Sequence, residues 1–151
     1  MDIIEKKAHC AENHLRWSAS DEKRYNKAIL KEKREMFADF NIPFPEDIAT
    51  SFKAEVAKGN KRADIYLDNL CQSYIQFALD NYGKVIHELI KSVYDGEVIY
   101  ELDIMRILKS EFHISSREDR EETCRIAIRE MTKANLIECK GSHRGEKLYA
   151  I

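Results

Sequence analysis

Two short stretches near the carboxyl end of the sequence carry basic side chains that could bind anions. The first stretch, residues 117–133, holds Arg117, Arg120, Arg125, Arg129 and Lys133. The second, residues 139–147 with the sequence "CKGSHRGEK", holds Lys140, His143, Arg144 and Lys147. Lysine and arginine commonly contact phosphate oxygens, and arginine also pairs with guanine. These positions are therefore candidate nucleic-acid contacts.

Side chains of the types used in catalysis and metal binding form no complete site in the sequence. The P-loop, GxGxxG, GxSxG and HExxH motifs are all absent. Cys10 and His14 are four residues apart, with His9 beside Cys10, but a tetrahedral zinc site needs more ligands and no second pair has metal spacing. We therefore expect no catalytic residue, no metal and no cofactor.

The composition predicts a mainly helical protein in which charge acts locally. Of 151 residues, 44% are hydrophobic, and only five glycines and two prolines are available for turns. The 25 basic and 27 acidic side chains nearly cancel, so any attraction to a polyanion must come from a local patch.

Nothing in the sequence predicts export or membrane insertion. The apolar runs are short, and the first ten residues, "MDIIEKKAHC", carry charges where a signal peptide has its hydrophobic centre. The four cysteines are scattered without a CxxC pair, which favours reduced thiols over disulfides. We expect a soluble cytoplasmic protein without membrane contact.

The first half of the chain has apolar residues three or four positions apart, which is typical of helices. We expect helices over residues 2–17 (one bent helix or two), 21–40, a segment after Pro45, and 62–82. Ser18 and Ser20 are candidate caps for the second helix. Pro43 and Pro45 are expected to end it.

A boundary is predicted at Gly83, which interrupts the helical pattern. Residues 1–82 would form a helical region that serves dimerisation or braces the rest. Residues 83–151 would form a second domain, whose first helix covers residues 84–94.

After Gly96 the pattern predicts helices together with strands. "EVIY" is a short strand, residues 101–114 and 116–134 are helices, and two strand-like runs, the first starting at Leu136, flank a loop at residues 141–145. Ser115 and Glu118 have the spacing of a capping box at the start of the second of these helices. Asn135 suits its carboxyl end, because asparagine tolerates the left-handed conformation.

The helix over residues 116–134 separates into two faces at about 100° per residue. The inward face is predicted to hold Cys124, Ala127, Ile128, Met131 and Ala134. The outward face is predicted to hold Glu118, Glu122, Arg125, Arg129 and Lys133. Its first turns are acidic and its later turns are basic, and Glu122 can pair with Arg125 or Arg129.

This order of helix, strand, helix, turn, helix, strand, loop and strand resembles a winged helix-turn-helix domain over about residues 84–151. The resemblance implies a winged helix with a carboxyl-terminal β-hairpin as the wing. Together with the helices expected in the first half, the predicted fold is a helical amino-terminal half followed by this winged helix. The resemblance also implies that the helix over residues 116–134 enters a DNA groove and that the hairpin contacts the backbone.

Two functions remain open at this point. The first is a small regulator that binds double-stranded DNA as a homodimer, with base contacts from Arg117 and Arg120 and phosphate contacts from Arg125, Arg129, Lys140 and Arg144. The second is a protein-interaction module that does not read DNA, such as an adaptor or a phage- or plasmid-encoded inhibitor of a host protein. The net charge of −2 and the acidic start of the helix favour the second.

Overall fold

A computed structural model describes residues 1–112, 114 and 116–151, so it leaves out His113 and Ser115. The elements of the described residues, in chain order, are α1 Ile3–Glu12, α2 Ala19–Asp39, α3 Glu46–Ala57, α4 Ala63–Asp80, α5 Tyr82–Val93, β1 Val98–Tyr100, α6 Glu101–Phe112, α7 Arg117–Lys133, β2 Glu138–His143 and β3 Glu146–Ala150. The predicted mainly helical class is confirmed, with a small antiparallel sheet at the carboxyl end.

Contacts divide the chain into two compact units. The first unit comprises Met1–Phe37 and Phe44–Ser73, and the second comprises Ala38–Pro43 and Tyr74–Ile151. Helix α4 contributes residues to both units. The division into domains of residues 1–82 and 83–151 stays a prediction.

Helix α2 begins with two reciprocal cap hydrogen bonds at Ser18, one of the two predicted caps; the other, Ser20, lies inside the helix, which starts at Ala19. The Ser18 hydroxyl accepts from the Asp21 N–H at 3.0 Å, and the Asp21 carboxylate accepts from the Ser18 N–H at 3.2 Å. At its other end α2 stops at Asp39, before the two prolines. Asn41 takes the left-handed conformation there, with φ 56°, and its N–H donates to the Ala38 carbonyl at 2.9 Å.

The first unit has an apolar core and polar ties between its helices. Phe37, Phe52 and Leu67 are almost fully buried. The Tyr25 hydroxyl donates to Asp64 at 3.1 Å, so α2 is joined to α4 by a hydrogen bond as well as by packing. Burial raises the pKa of Tyr25 to about 12, and the nearby Asp64 charge adds to that rise.

The second unit packs α5, α6 and α7 against its sheet. Its buried core contains Ile86, Ile90, Ile99, Ile104, Leu108, Phe112, Cys124, Ala127, Met131, Ile137 and Tyr149. Strand β3 lies between β1 and β2 and is antiparallel to both. Tyr149 in β3 is opposite Ile99 in β1 and Cys139 in β2. Its large side chain is buried in the core.

Gly83 lies inside α5, so the prediction that it interrupts the helices was wrong. Asn81 alone separates α4 from α5. A Cβ at Gly83 would lie 2.5 Å from the carbonyl oxygen of Glu130 in α7, which is closer than real side chains approach. The glycine is therefore required by the close approach of two helix backbones and not by a turn.

The buried side of α7 agrees with the predicted inward face except at one position. Cys124, Ala127 and Met131 are buried, and Ile128 is partly buried. Ala134 was predicted to point inward but is exposed, because α7 ends at Lys133 and Ala134 is its C-cap. Thr123 is buried although the helical wheel did not assign it.

Both ends of α7 are capped. The N-cap is Ser116, whose side chain accepts from the Asp119 N–H at 3.4 Å, whereas the predicted cap, Ser115, lies outside the described residues. The predicted role of Asn135 at the carboxyl end is confirmed, since its φ is 58°. The Leu136 N–H donates to the Met131 carbonyl at 3.0 Å, so the expected strand start at Leu136 belongs to the helix end and β2 begins at Glu138.

Candidate nucleic-acid interface

The carboxyl-terminal hairpin has a tighter turn than the sequence predicted. The expected loop covered residues 141–145, but β2 continues to His143, and Arg144 and Gly145 alone form the turn. Their φ angles are 53° and 79°, as a type I′ turn requires at both central positions. Gly141, with φ 103°, lies at a bulge of β2 and not in the loop.

Two hydrogen bonds fix the hairpin to neighbouring elements of the second unit. The Tyr100 hydroxyl, at the end of β1, lies 3.1 Å from Nδ1 of His143. The carboxylate of Glu146 accepts from the Leu102 N–H at 3.0 Å. His143 was predicted to contact an anion, and the structure gives its ring a partner within the fold.

The basic side chains of the hairpin differ in how far they are neutralised. Lys140 pairs with Glu138 at 3.0 Å. Arg144, in the turn, and Lys147, in β3, are exposed, and neither has a carboxylate partner in the part of the chain that the structure describes. These two cations are therefore available to an external anion.

Three arginines of α7 pair with carboxylates of the same helix. Arg117 pairs with Glu121 at 3.0 Å, and its side chain is 83% exposed. Arg125 pairs with Glu122, one of the two pairings that their spacing predicted. Arg129 lies 3.6 Å from the carboxylate of the adjacent Glu130. Exposed pairs of this kind contribute about 0–1 kcal/mol each, so an arginine can exchange its carboxylate for a phosphate at little cost.

The remaining predicted contacts on α7 lie at different depths. Arg120 is partly buried, whereas Lys133 is exposed in the last turn, where its charge opposes the helix dipole favourably. The helix also carries five carboxylates, namely those of Glu118, Asp119, Glu121, Glu122 and Glu130. They match its five basic residues in number, so α7 has no net charge of its own.

An apolar groove of the second unit is lined in part by α7, and the sequence did not predict it. Tyr82, Thr123 and Ile126 contribute to the lining of a cavity of about 320 Å³. Phe40 and Leu79 also line it, and they are 47% and 50% exposed. The Tyr82 hydroxyl donates to the Asn41 carbonyl at 3.0 Å, and burial raises its pKa. Sequence periodicity could not reveal the groove, because its residues come from three separated segments.

Neither a metal-binding cluster nor a membrane-spanning helix occurs among the described residues. No group of three or more His, Cys, Asp or Glu side chains there could hold a metal ion. Cys10 is buried in α1, and His14 follows that helix with a φ of 54°. None of the helices over the described ranges combines the length and the apolar character needed to cross a bilayer.

Comparison with known proteins assigns no family to this chain. No family model matches it, and neither does any curated protein or solved structure. The use of its basic residues must therefore be argued from their geometry and chemistry.

Proposed function

We propose that the second unit is a winged helix-turn-helix module that binds double-stranded DNA. Helices α6 and α7 would be the helix-turn-helix, and the β2–β3 hairpin would be the wing. Three features support this: α5 and β1 precede the helix pair, the sheet has the strand order β1-β3-β2, and the hairpin follows α7 directly.

The observation that carries the proposal is the pair of unneutralised cations on a hairpin that two hydrogen bonds join to its neighbours. Arg144 lies in a two-residue turn, and Lys147 follows it in the central strand. The contacts of His143 and Glu146 with β1 and α6 hold this hairpin in place before any ligand arrives. Less conformational entropy is then lost on binding, which favours contact with a phosphate backbone.

Helix α7 would contribute to binding by exchanging ion-pair partners. Arg125 and Arg129 would leave their carboxylates for phosphates, as exposed ion pairs permit. The acidic first turn weakens the contact of this helix with the DNA backbone, because Glu118 and Asp119 repel phosphates. Their carboxylates can, however, accept a hydrogen bond from cytosine. The hairpin would therefore supply most of the affinity and α7 the preference for sequence.

The binding species in this proposal is a homodimer. Two copies present two hairpins and two α7 helices to a two-fold symmetric site, which doubles the number of phosphate contacts. Size-exclusion chromatography with light scattering measures this directly. If the protein is a monomer at micromolar concentration, the proposed dimer is wrong. DNA binding is tested separately.

The experiment that tests the proposal measures affinity for random-sequence and genomic duplexes at several salt concentrations. In the test variant, Arg144→Asn keeps a residue suited to the type I′ turn while removing its charge, and Lys147→Gln removes the second charge. In a matched control, Lys84→Gln and Lys91→Gln remove two exposed charges from α5.

The hairpin variant should lose affinity, and the slope of log affinity against log salt should become shallower by about 1.8 per bound chain, or about 3.6 for the homodimer, which corresponds to two lost phosphate contacts in each copy. The control variant should match the wild-type chain. If the hairpin variant binds as the wild-type chain does, or if the wild-type chain ignores DNA, the proposal is wrong.

A protein-interaction module is the second candidate function, and one observation favours it. Each of Arg117, Arg125 and Arg129 lies beside a carboxylate, so the exposed surface of α7 alternates in charge. Such a surface complements a protein with mixed charges better than it complements a polyanion. Retention of one stoichiometric protein partner, with no DNA binding, would favour this function.

A further inference from the structure

A stripe of three lysines runs along the exposed face of α2 in the first unit. Lys23, Lys27 and Lys31 are all exposed and are spaced by four residues, so they follow one another about 6 Å apart along the helix axis. The buried residues Tyr25 and Ile29 lie on the opposite face. We call Lys23, Lys27 and Lys31 the lysine stripe.

The structure separates the lysine stripe from the basic residues of α2 that stabilise the fold. Lys33 pairs with Asp68 in α4 at 2.7 Å, and Arg34 pairs with Glu46 in α3 at 2.6 Å. No member of the stripe has a carboxylate partner among residues 1–112, 114 and 116–151. Sequence alone could not make this distinction, because all five positions are basic residues on one helix.

The lysine stripe has an energetic cost when nothing is bound to it. Like charges at a spacing of four residues repel each other, so each such pair destabilises a helix. A row of anions along the helix would remove this repulsion. The stripe therefore matches a ligand with regularly repeated negative charge.

We infer that the lysine stripe is a second phosphate-backbone contact surface for nucleic acid, placed on the first unit. This inference rests on the proposed DNA binding of the second unit and adds sequence-independent contacts to it. Three lysines neutralising three phosphates should contribute about 2.7 per bound chain to the slope of log affinity against log salt.

An anionic membrane surface fits the lysine stripe less well than nucleic acid does. A helix that lies on a bilayer inserts an apolar face between the lipids while its basic residues meet the headgroups. The large buried side chains of α2, Tyr25, Ile29 and Phe37, are used in the core of the first unit. The exposed face of α2 carries polar side chains around the stripe, including Ser20, Arg24 and Glu35.

The test compares three full-length variants with the wild-type chain on a random-sequence duplex over a range of salt concentrations. The stripe variant carries Lys23→Gln, Lys27→Gln and Lys31→Gln, since glutamine keeps the helix propensity and removes the charge. The charge-matched control carries Lys53→Gln, Lys61→Gln and Lys84→Gln, at three exposed positions outside the stripe. The hairpin variant is Arg144→Asn with Lys147→Gln. Circular dichroism confirms that each variant is folded.

The stripe variant should bind the duplex more weakly, with a slope shallower by about 2.7 per bound chain, while the control keeps the wild-type slope. A wild-type slope in the stripe variant overturns the inference, and if the hairpin variant still loses affinity, the proposed function survives. Loss in the stripe variant alone supports the inference and contradicts the proposed role of the hairpin. Stripe-dependent binding to phosphatidylserine vesicles in place of DNA also overturns the inference.

Discussion

The carboxylate of Glu146 accepts a hydrogen bond from the backbone N–H of Leu102 at 3.0 Å, across 44 residues of sequence. Helix α6 begins at Glu101 directly after β1 ends at Tyr100, so no loop is available to supply a conventional N-cap. Glu146 in β3 satisfies one of the exposed N–H groups of the helix instead. The same hydrogen bond attaches the hairpin to α6.

Replacement of Glu146 should destabilise the protein. Glu146→Ala is expected to lower the free energy of unfolding by about 1 kcal/mol, as loss of a helix cap does. Glu146→Gln should lose less, because its amide oxygen can still accept the hydrogen bond. Urea denaturation measures both changes.

Glu138→Ala is the matched control for this prediction, because it removes an exposed carboxylate of the same hairpin that pairs only with Lys140 in the described structure. Its effect should stay within about 0.5 kcal/mol. Equal destabilisation by Glu146→Ala and Glu138→Ala would show that the contact with Leu102 stabilises nothing.

The sequence predicted those features that depend on neighbouring residues. Ser18 caps α2 and Asn135 ends α7 because cap chemistry acts over three or four positions. The contact of Glu146 with Leu102 could not be predicted, since its partners meet only through the sheet. Gly83 was wrongly predicted to break a helix for the same reason. The backbone that requires a glycine there belongs to Glu130, which is close in space but distant in sequence.

The residue types of the candidate site could be predicted from the sequence, but their ion pairs could not. The basic residues of the hairpin stood out by type, yet Arg144 and Lys147 could not be distinguished from the paired Lys140. Ion pairing depends on side-chain direction, which a helical wheel or a strand pattern describes only coarsely. The unpaired cations therefore became visible only in the structure.

Gly83→Ala should destabilise the protein, although alanine is the better helix former. In an exposed helix the change stabilises by roughly 0.5–1 kcal/mol. Here the new Cβ would approach the Glu130 carbonyl oxygen to 2.5 Å, and the backbones of α5 and α7 must separate. We expect a loss of about 1–3 kcal/mol in the free energy of unfolding, as overpacking produces.

Thermal and urea denaturation measure this change, and Lys84→Ala is the control at the neighbouring exposed position. That control should change stability by less than about 0.5 kcal/mol. An unchanged or raised stability of Gly83→Ala would mean that the two helix backbones are further apart than the structure places them.

Cys139 should be the one fast-reacting thiol of the native protein. Cys10, Cys71 and Cys124 are buried, whereas Cys139 lies exposed in β2. Burial raises the pKa of Cys124 to about 12, so its reactive thiolate is scarce at neutral pH. A chromogenic disulfide reagent should release one equivalent rapidly and the remaining three only after unfolding.

Cys139→Ser is the variant that checks this assignment. It should abolish the fast phase and leave the slow phase unchanged. Rapid release of more than one equivalent from the native protein would contradict the burial of the other thiols.

Asp21 should make the first unit less stable in acid. The hydrogen bond from Lys6, followed by those from the backbone and side chain of Ser18, lowers the pKa of Asp21 to about 2. The unfolded chain has an aspartate pKa of roughly 3.9. Because the folded value is the lower one, the stabilisation is fully present above about pH 4 and is lost as the pH falls towards 2.

The difference in unfolding midpoint between the wild-type chain and Asp21→Asn measures this contribution, since other carboxylates titrate equally in both proteins. We expect that difference to be constant from neutral pH down to about pH 5 and to shrink between about pH 4 and pH 2. Lys6→Gln removes the largest cause of the lowered pKa, so in that background the difference should be smaller and its decline should end at a higher pH. A difference that stays constant down to pH 2 would mean that the Asp21 carboxylate is not held in its charged form by Lys6 and Ser18.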